Sequence, residues 1–278
     1  MKLTLPVKKL LDVTPAVNTI FTFTLAGEDS DTPMPASDTV TIEGAGEASF
    51  GEITYTAIGT YKYTLKENDD GAAGYTYDTT PREIVVTVTD DDGNLKVTYT
   101  VDGATVEKIE FTNKYEATGK TQFEGTKELN GRGLKADEFT FELYDGEGNL
   151  IESVQNDADG KFVFSELEYL LNETQNDVGT YTYTVKEKKE SLTGVTYDET
   201  EYTITVTVTD NGDGTLNVDV SGAEAIKFTN TYKPPHDDTP GTGDNSQIKL
   251  WSAMTLASAA GLSCMAWLAF RKKKREEQ

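Results

Sequence analysis

Three side chains recur in the same order and the same strand phase in both halves of this 278-residue chain: Lys9, Glu67 and Asn113, then Lys127, Glu187 and Asn230. An amine, a carboxyl and a primary amide that meet away from water can react with one another. Burial penalises both ions, lowering the Lys pKa and raising the Glu pKa, so the neutral amine and the neutral acid become accessible. The amine is then a nucleophile and the amide carbonyl an electrophile. A protonated Glu can hydrogen-bond that carbonyl and carry protons as ammonia leaves, so Glu67 and Glu187 would be the catalytic acids. The product would be an intramolecular Lys–Asn isopeptide bond in each half. The same triple could also rest as a buried Lys–Glu ion pair beside a hydrogen-bonded Asn. Its repetition in one order and phase favours the bond.

The elements that must present these groups are strands. Ile109 to Tyr115 reads I-E-F-T-N-K-Y and Ile226 to Tyr232 reads I-K-F-T-N-T-Y, so each Asn shares a face with apolar residues two positions away. A buried amide without partners is costly, so it must enter a polar network or react. Leu3, Leu5, Val7, Lys9 and Leu11 share one phase, and Phe123, Gly125, Lys127 and Leu129 another; each Lys lies 12 residues before a Phe, Phe21 or Phe139. Glu67 is in phase with Tyr61, Tyr63 and Leu65, and Glu187 with Tyr181, Tyr183 and Val185.

Residues 2–115 and 121–232 read as one repeat written twice. Tyr75-Thr76-Tyr77-Asp78 matches Val195-Thr196-Tyr197-Asp198, and the Val/Thr-rich run ending at Asp90 matches the one ending at Asp210. These runs are rich in Val, Ile, Thr, Tyr and Phe at period two, with Gly, Asp and Asn between them, and no segment of either repeat sustains a 3.6-residue period. The expected fold is all-β, two tandem immunoglobulin-like sandwiches. Asp90 to Asn94 and Asp210 to Gly214 fall between paired runs as hairpin turns. A calcium loop would need ligands at further positions and a distal Glu. The expected domains are 1–115 and 121–232, with 116–120 as a short polar connector that stacks them end to end.

Composition narrows the function. A hydrophobic content of 36% with 14 Tyr and 11 Phe suits ordinary cores, and a net charge of -23 leaves no basic stripe for nucleic acid. The single Cys, Cys264, lies in an apolar tail, and the single His, His236, in a Pro-rich linker. No body disulfide, Cys- or His-based metal site, Ser-His-Asp triad or nucleotide-binding motif can therefore be built, and neither cofactor nor metal is expected.

K-x-L near the start, Y-x-Y-T-h-K-E in the middle and F-T-N-x-Y at the end of each repeat resemble the isopeptide-linkage pilin domains of Gram-positive sortase-assembled pili. The resemblance covers residues 2–232. It implies that Lys9 and Asn113 are cross-linked with Glu67 as the acid, and Lys127 and Asn230 with Glu187, in a structural subunit that turns over no substrate.

The C-terminal part carries its own signal. Residues 233–247 form a Pro/Gly-rich stalk, 248–270 an apolar span long enough to cross a bilayer, and 271–278 a basic tail. Thr239-Pro240-Gly241-Thr242-Gly243 resembles an LPxTG-type sorting signal with Thr in place of Leu, to be cut between Thr242 and Gly243. This implies a transient membrane span, sortase as a partner, and attachment to other pilin subunits or peptidoglycan at the cell surface. No secretory leader opens the chain, so one is expected to have been removed or to lie upstream.

A polymerising subunit needs an acceptor amine. Lys108, whose counterpart in the second repeat is Ala225, is the candidate, with Lys96 and Lys114 as rivals. Two other classes share part of this pattern. A monomeric wall-anchored adhesin or carbohydrate-binding protein would have a host surface ligand and no polymer. A glycosidase would need Glu67 and Glu187 across one cleft, yet they lie in separate repeats.

Overall fold

Alternating side chains force the strands to bury one face each, and the computed structural model, which describes residues 1–235, arranges those faces in two main sheets per repeat, with one smaller sheet beside them. Every regular element among the described residues is a strand. In the first repeat a five-stranded sheet runs in the order Asn94–Val101, Arg82–Asp91, Gly59–Glu67, Ile20–Gly27, Thr39–Glu43. Against it stands a four-stranded sheet ordered Gly46–Ser49, Pro6–Leu11, Ile109–Tyr115, Tyr75–Thr76. Phe21, Phe23, Leu65 and Val86 from the first sheet and Val7, Ile109 and Phe111 from the second belong to one buried cluster.

The second repeat rebuilds this plan. Its five-stranded sheet runs Leu150–Gln155, Thr140–Tyr144, Gly179–Glu187, Glu201–Asp210, Leu216–Ser221, and its four-stranded sheet runs Lys161–Val163, Glu124–Asn130, Lys227–Tyr232, Val195–Thr196. Phe139, Phe141, Val185, Ile204, Phe162 and Phe228 fill its core. In both repeats the first long strand of the four-stranded sheet lies parallel to the last strand of the repeat. Lys9 sits opposite Phe111 and Leu11 opposite Asn113, as Lys127 sits opposite Phe228 and Leu129 opposite Asn230. That register places each Lys and Asn on neighbouring strands, two positions apart along the ladder.

Turn chemistry follows the residues that permit it. Asp91 pairs with Asn94 across Asp92 and Gly93, both at positive φ, which is the backbone that matches a tight hairpin to strand twist.

Two sequence expectations are corrected. The run from Leu3 to Leu11 keeps one phase but is two strands, Lys2–Leu3 and Pro6–Leu11, the first paired with Ile53–Thr54. The break falls just ahead of Pro6, a residue with no N–H for a ladder. Most of 116–120, expected as a short polar connector, lies within a strand. Ala117–Thr121 is a strand paired antiparallel with Leu167–Asn172, and Ala117 is fully buried in the second core.

Candidate functional site

The structure brings all six residues together as two triads. Lys9 Nζ donates to Glu67 Oε2 at 2.8 Å and Asn113 Nδ2 donates to Glu67 Oε1 at 2.7 Å. In the second repeat Lys127 Nζ donates to Glu187 Oε2 at 2.7 Å and Asn230 Nδ2 to Glu187 Oε1 at 2.7 Å. The Lys and Glu side chains of both pairs have no exposed surface, and Asn113 and Asn230 are likewise sealed. The Lys comes from the first long strand of the four-stranded sheet, the Asn from the last strand beside it, and the Glu from the end of the central strand of the facing sheet. Each triad thus spans the interior between the sheets.

The carboxyl faces the amide nitrogen and not, as the sequence reading had it, the carbonyl oxygen. The reason is a competing donor. Asp78 N donates to Asn113 Oδ1 at 2.8 Å and Asp198 N to Asn230 Oδ1 at 2.7 Å, which turns each Nδ2 toward the Glu. One carboxyl therefore touches both the amine and the amide nitrogen, one oxygen on each.

Desolvation and the charge pairing oppose each other in this geometry, and desolvation is the larger. Burial pulls the Lys9 and Lys127 amines below the usual lysine range, against the opposing pull of the Glu partner. Burial likewise pushes the Glu67 and Glu187 carboxyls above the usual range, against the Lys and Asn contacts. The ring faces of Phe21 and Phe139 lie 4.7 and 4.6 Å from the two ammonium nitrogens and favour the charged amine, but desolvation is the larger effect. Both shifts favour the neutral amine and the neutral acid, and a neutral amine is a nucleophile.

Reasoning from the sequence did not assign roles to Asp78, Asp198, Phe21 or Phe139. Their signal was present in the recurring Tyr-Asp of the two repeats and in the constant spacing from Lys to Phe. Lys108 lies outside the triads, on the surface before the final strand of the first repeat, with Nζ 2.5 Å from Glu47 Oε1. Among the described residues no group of His, Cys, Asp and Glu is placed to hold a metal ion. His236, residues Thr239 to Gly243, the 248–270 span with Cys264 and the basic tail lie outside the described residues.

The chain matches the family model FctA, described as a Spy0128-like isopeptide containing domain, twice, over residues 5–116 and 123–233. No curated protein matches it. Among solved structures it is similar to the major pilin of Streptococcus pyogenes, at 20% identity over 82% of this chain and 98% of that one, with a TM-score of 0.37. The T-13 major pilin of the same species is 20% identical over 83% and 97%, with a TM-score of 0.34. The Bacillus anthracis TIE protein is 21% identical over 82% of this chain and 34% of its own, with a TM-score of 0.28.

Proposed function

The chain belongs to the FctA family of Spy0128-like isopeptide-containing domains, and from that premise we propose that it is a pilus shaft subunit or close wall-anchored relative whose two domains cross-link themselves. The family is structural and non-enzymatic. Each domain, an immunoglobulin-like sandwich in this reading, performs one reaction on itself. The neutral Nζ of Lys9 adds to Asn113 Cγ; the Nζ–Cγ bond forms and the Cγ–Nδ2 bond breaks. Glu67 accepts the proton lost from Nζ at Oε2 and gives its own to Nδ2 from Oε1, so ammonia leaves and the acid is restored. The Asp78 N–H stands where charge develops on Oδ1. Lys127, Glu187, Asn230 and Asp198 repeat these roles.

The observation that carries the reading is the bridging carboxyl, which contacts nucleophile and leaving group at hydrogen-bond distance in both domains. Outside the triads, sortase cleavage between Thr242 and Gly243, transfer of Thr242 to a wall or pilin amine, and Lys108 as that amine in the next subunit complete the proposal. The 248–270 span would hold the precursor in the membrane until cleavage. Intact mass of the recombinant 1–235 segment tests the cross-links. Two ammonia losses are expected, one abolished by Asn113→Ala and the other by Asn230→Ala. An unmodified wild-type mass would overturn the reading.

A further inference from the structure

The electrophile's oxygen has a single main-chain donor in each domain, and that donor belongs to an Asp whose side chain is itself tied down. Asp78 Oδ1 accepts from Thr80 N at 3.2 Å, and Oδ2 accepts from Arg82 Nη2 at 2.6 Å and Thr112 N at 3.5 Å. Asp198 Oδ1 accepts from Thr200 N at 3.0 Å and Thr200 Oγ1 at 2.6 Å, and Oδ2 accepts from Thr229 N at 2.8 Å. In both cases the residue grips the last strand twice. Its N–H holds the Asn side chain, and its carboxylate holds the main-chain N–H of the residue just before that Asn.

The two domains secure this grip with different chemistry. Arg82 pairs across the sheet with Leu65 and Tyr202 with Val185, so the two occupy one structural position, two residues back from each Glu on the central strand. Arg82 packs on the Phe111 ring, donates to Glu110 O and adds a charge to Asp78; Tyr202 packs on Phe228 and donates to the matching Lys227 O, but brings no charge to Asp198. Asp198 is held by the Thr200 hydroxyl in place of a guanidinium. What both domains retain is the carboxylate itself and the N–H it orients.

We propose that Asp78 and Asp198 are positioning residues for amide formation, each fixing the main-chain N–H that holds the Asn carbonyl oxygen while Nζ attacks. This rests on the cross-linking reading above. A donor aimed at the developing oxyanion acts fully only if it cannot drift, and loss of a single such donor lowers rates by about 100- to 1,000-fold. Loosening it should cost less.

The test makes the 1–235 segment by cell-free synthesis, so that each chain starts without the bond, and follows ammonia loss with time, with proteolysis before mass measurement so that each domain is read separately. Asp198→Ala is expected to slow closure of the second domain roughly tenfold or more, as a partial loss of that effect, and to leave the first at wild-type rate. Thr200→Val, which removes one hydrogen bond to the carboxylate, should slow the second domain by a smaller factor. It is the measurement that decides if Asp198→Ala does not fold. Each substitution is also made in an Asn230→Ala background, where no bond can form. Retention of the folded circular dichroism there, with melting still above the assay temperature, and slow closure in the reactive chain separate positioning from simple loss of structure. Wild-type closure rates in the variants that fold, or slowing in Thr200→Val matched by loss of fold in the Asn230→Ala background, would overturn the proposal while leaving the cross-link intact. Absence of closure in the wild-type chain would instead overturn the underlying reading.

Discussion

Asp78 is pulled in two directions: partial burial pushes its carboxyl up, while Arg82 and the N–H groups of Thr80 and Thr112 pull it down and prevail. Its pKa therefore lies below the ordinary 3.8. The unfolded chain takes up this proton at a higher pH than the folded chain, so the carboxylate stabilises the fold above about pH 3.8. That contribution drains away as pH falls through the folded pKa. Asp78→Asn should cost about 1.5–3 kcal/mol at pH 7, the range for hydrogen bonds to a charged group. The gap to wild type should narrow as pH drops below 3.8, a difference that urea unfolding at pH 7 and pH 3 would measure; a constant gap would refute it. The buried acids behave oppositely. Glu67 and Glu187 are raised by desolvation, so ionising them costs stability as pH rises above the ordinary carboxylate range. The chain sets a depressed carboxyl, Asp78, beside a raised one, Glu67, and hydrogen bonds both to the same Asn113, one through its main chain and one through its side chain.

Among the elements, Ala117–Thr121 combines a weak sequence signal with a close fit. A Cβ on Gly119 would stand 2.8 Å from Leu216 O and from Val218 Cγ2. A main-chain oxygen cannot yield as a side chain can, so Gly119→Val should destabilise the second repeat by about 1–3 kcal/mol through overpacking. Chemical unfolding followed by domain-resolved hydrogen exchange would detect this, and wild-type protection at Leu167–Asn172 would count against it. The same crowding explains why this strand escapes a reading by alternation. Its inward positions hold Ala117, buried, and Gly119, half-buried, both too small to register as an apolar period, whereas Ile109–Tyr115 announces itself through Ile109, Phe111 and Tyr115. The triads were legible because a Lys, a Glu and an Asn each interrupt a face of large apolar residues. The hold on the Asn oxygen was not, because its donor is a main-chain N–H, which no residue type encodes. Parallel pairing of first and last strands is likewise set by how the sheets close around the core, and alternation is blind to strand direction.

Across the molecule, the last strand of the first repeat is bound to both its own first strand and the second repeat. Asp12 N donates to Asn113 O and Asp12 Oδ1 accepts from Tyr115 N, while Tyr115 Oη donates to Asp210 Oδ1 at 2.8 Å. Ala16 N reaches Asp210 Oδ2 at 2.7 Å and Gly214 N reaches Tyr115 Oη at 3.1 Å, so the loop after Asp210 is fastened to the first repeat at two places. These polar contacts are separate and each is worth about 1 kcal/mol, which a sustained pull would overcome. The proposed cross-links differ in kind. Each closes a loop of about 100 residues, for which the chain-entropy model gives on the order of 4–5 kcal/mol. Tension entering at the first strand would pass through Lys9–Asn113 directly to the last strand, leaving the residues between them off the load path. The second repeat would carry load through Lys127–Asn230 in the same way. Single-molecule stretching of the 1–235 segment should therefore give little extension beyond opening of the junction. Asn113→Ala should release roughly 100 further residues, on the order of 300 Å of contour at the length per residue of an extended chain. Asn230→Ala should release a similar length from the second repeat, and the double variant the sum. Equal extension of wild type and Asn113→Ala would mean that force does not travel through the bond, and the mechanical role would fall even if the mass measurement found both cross-links in place.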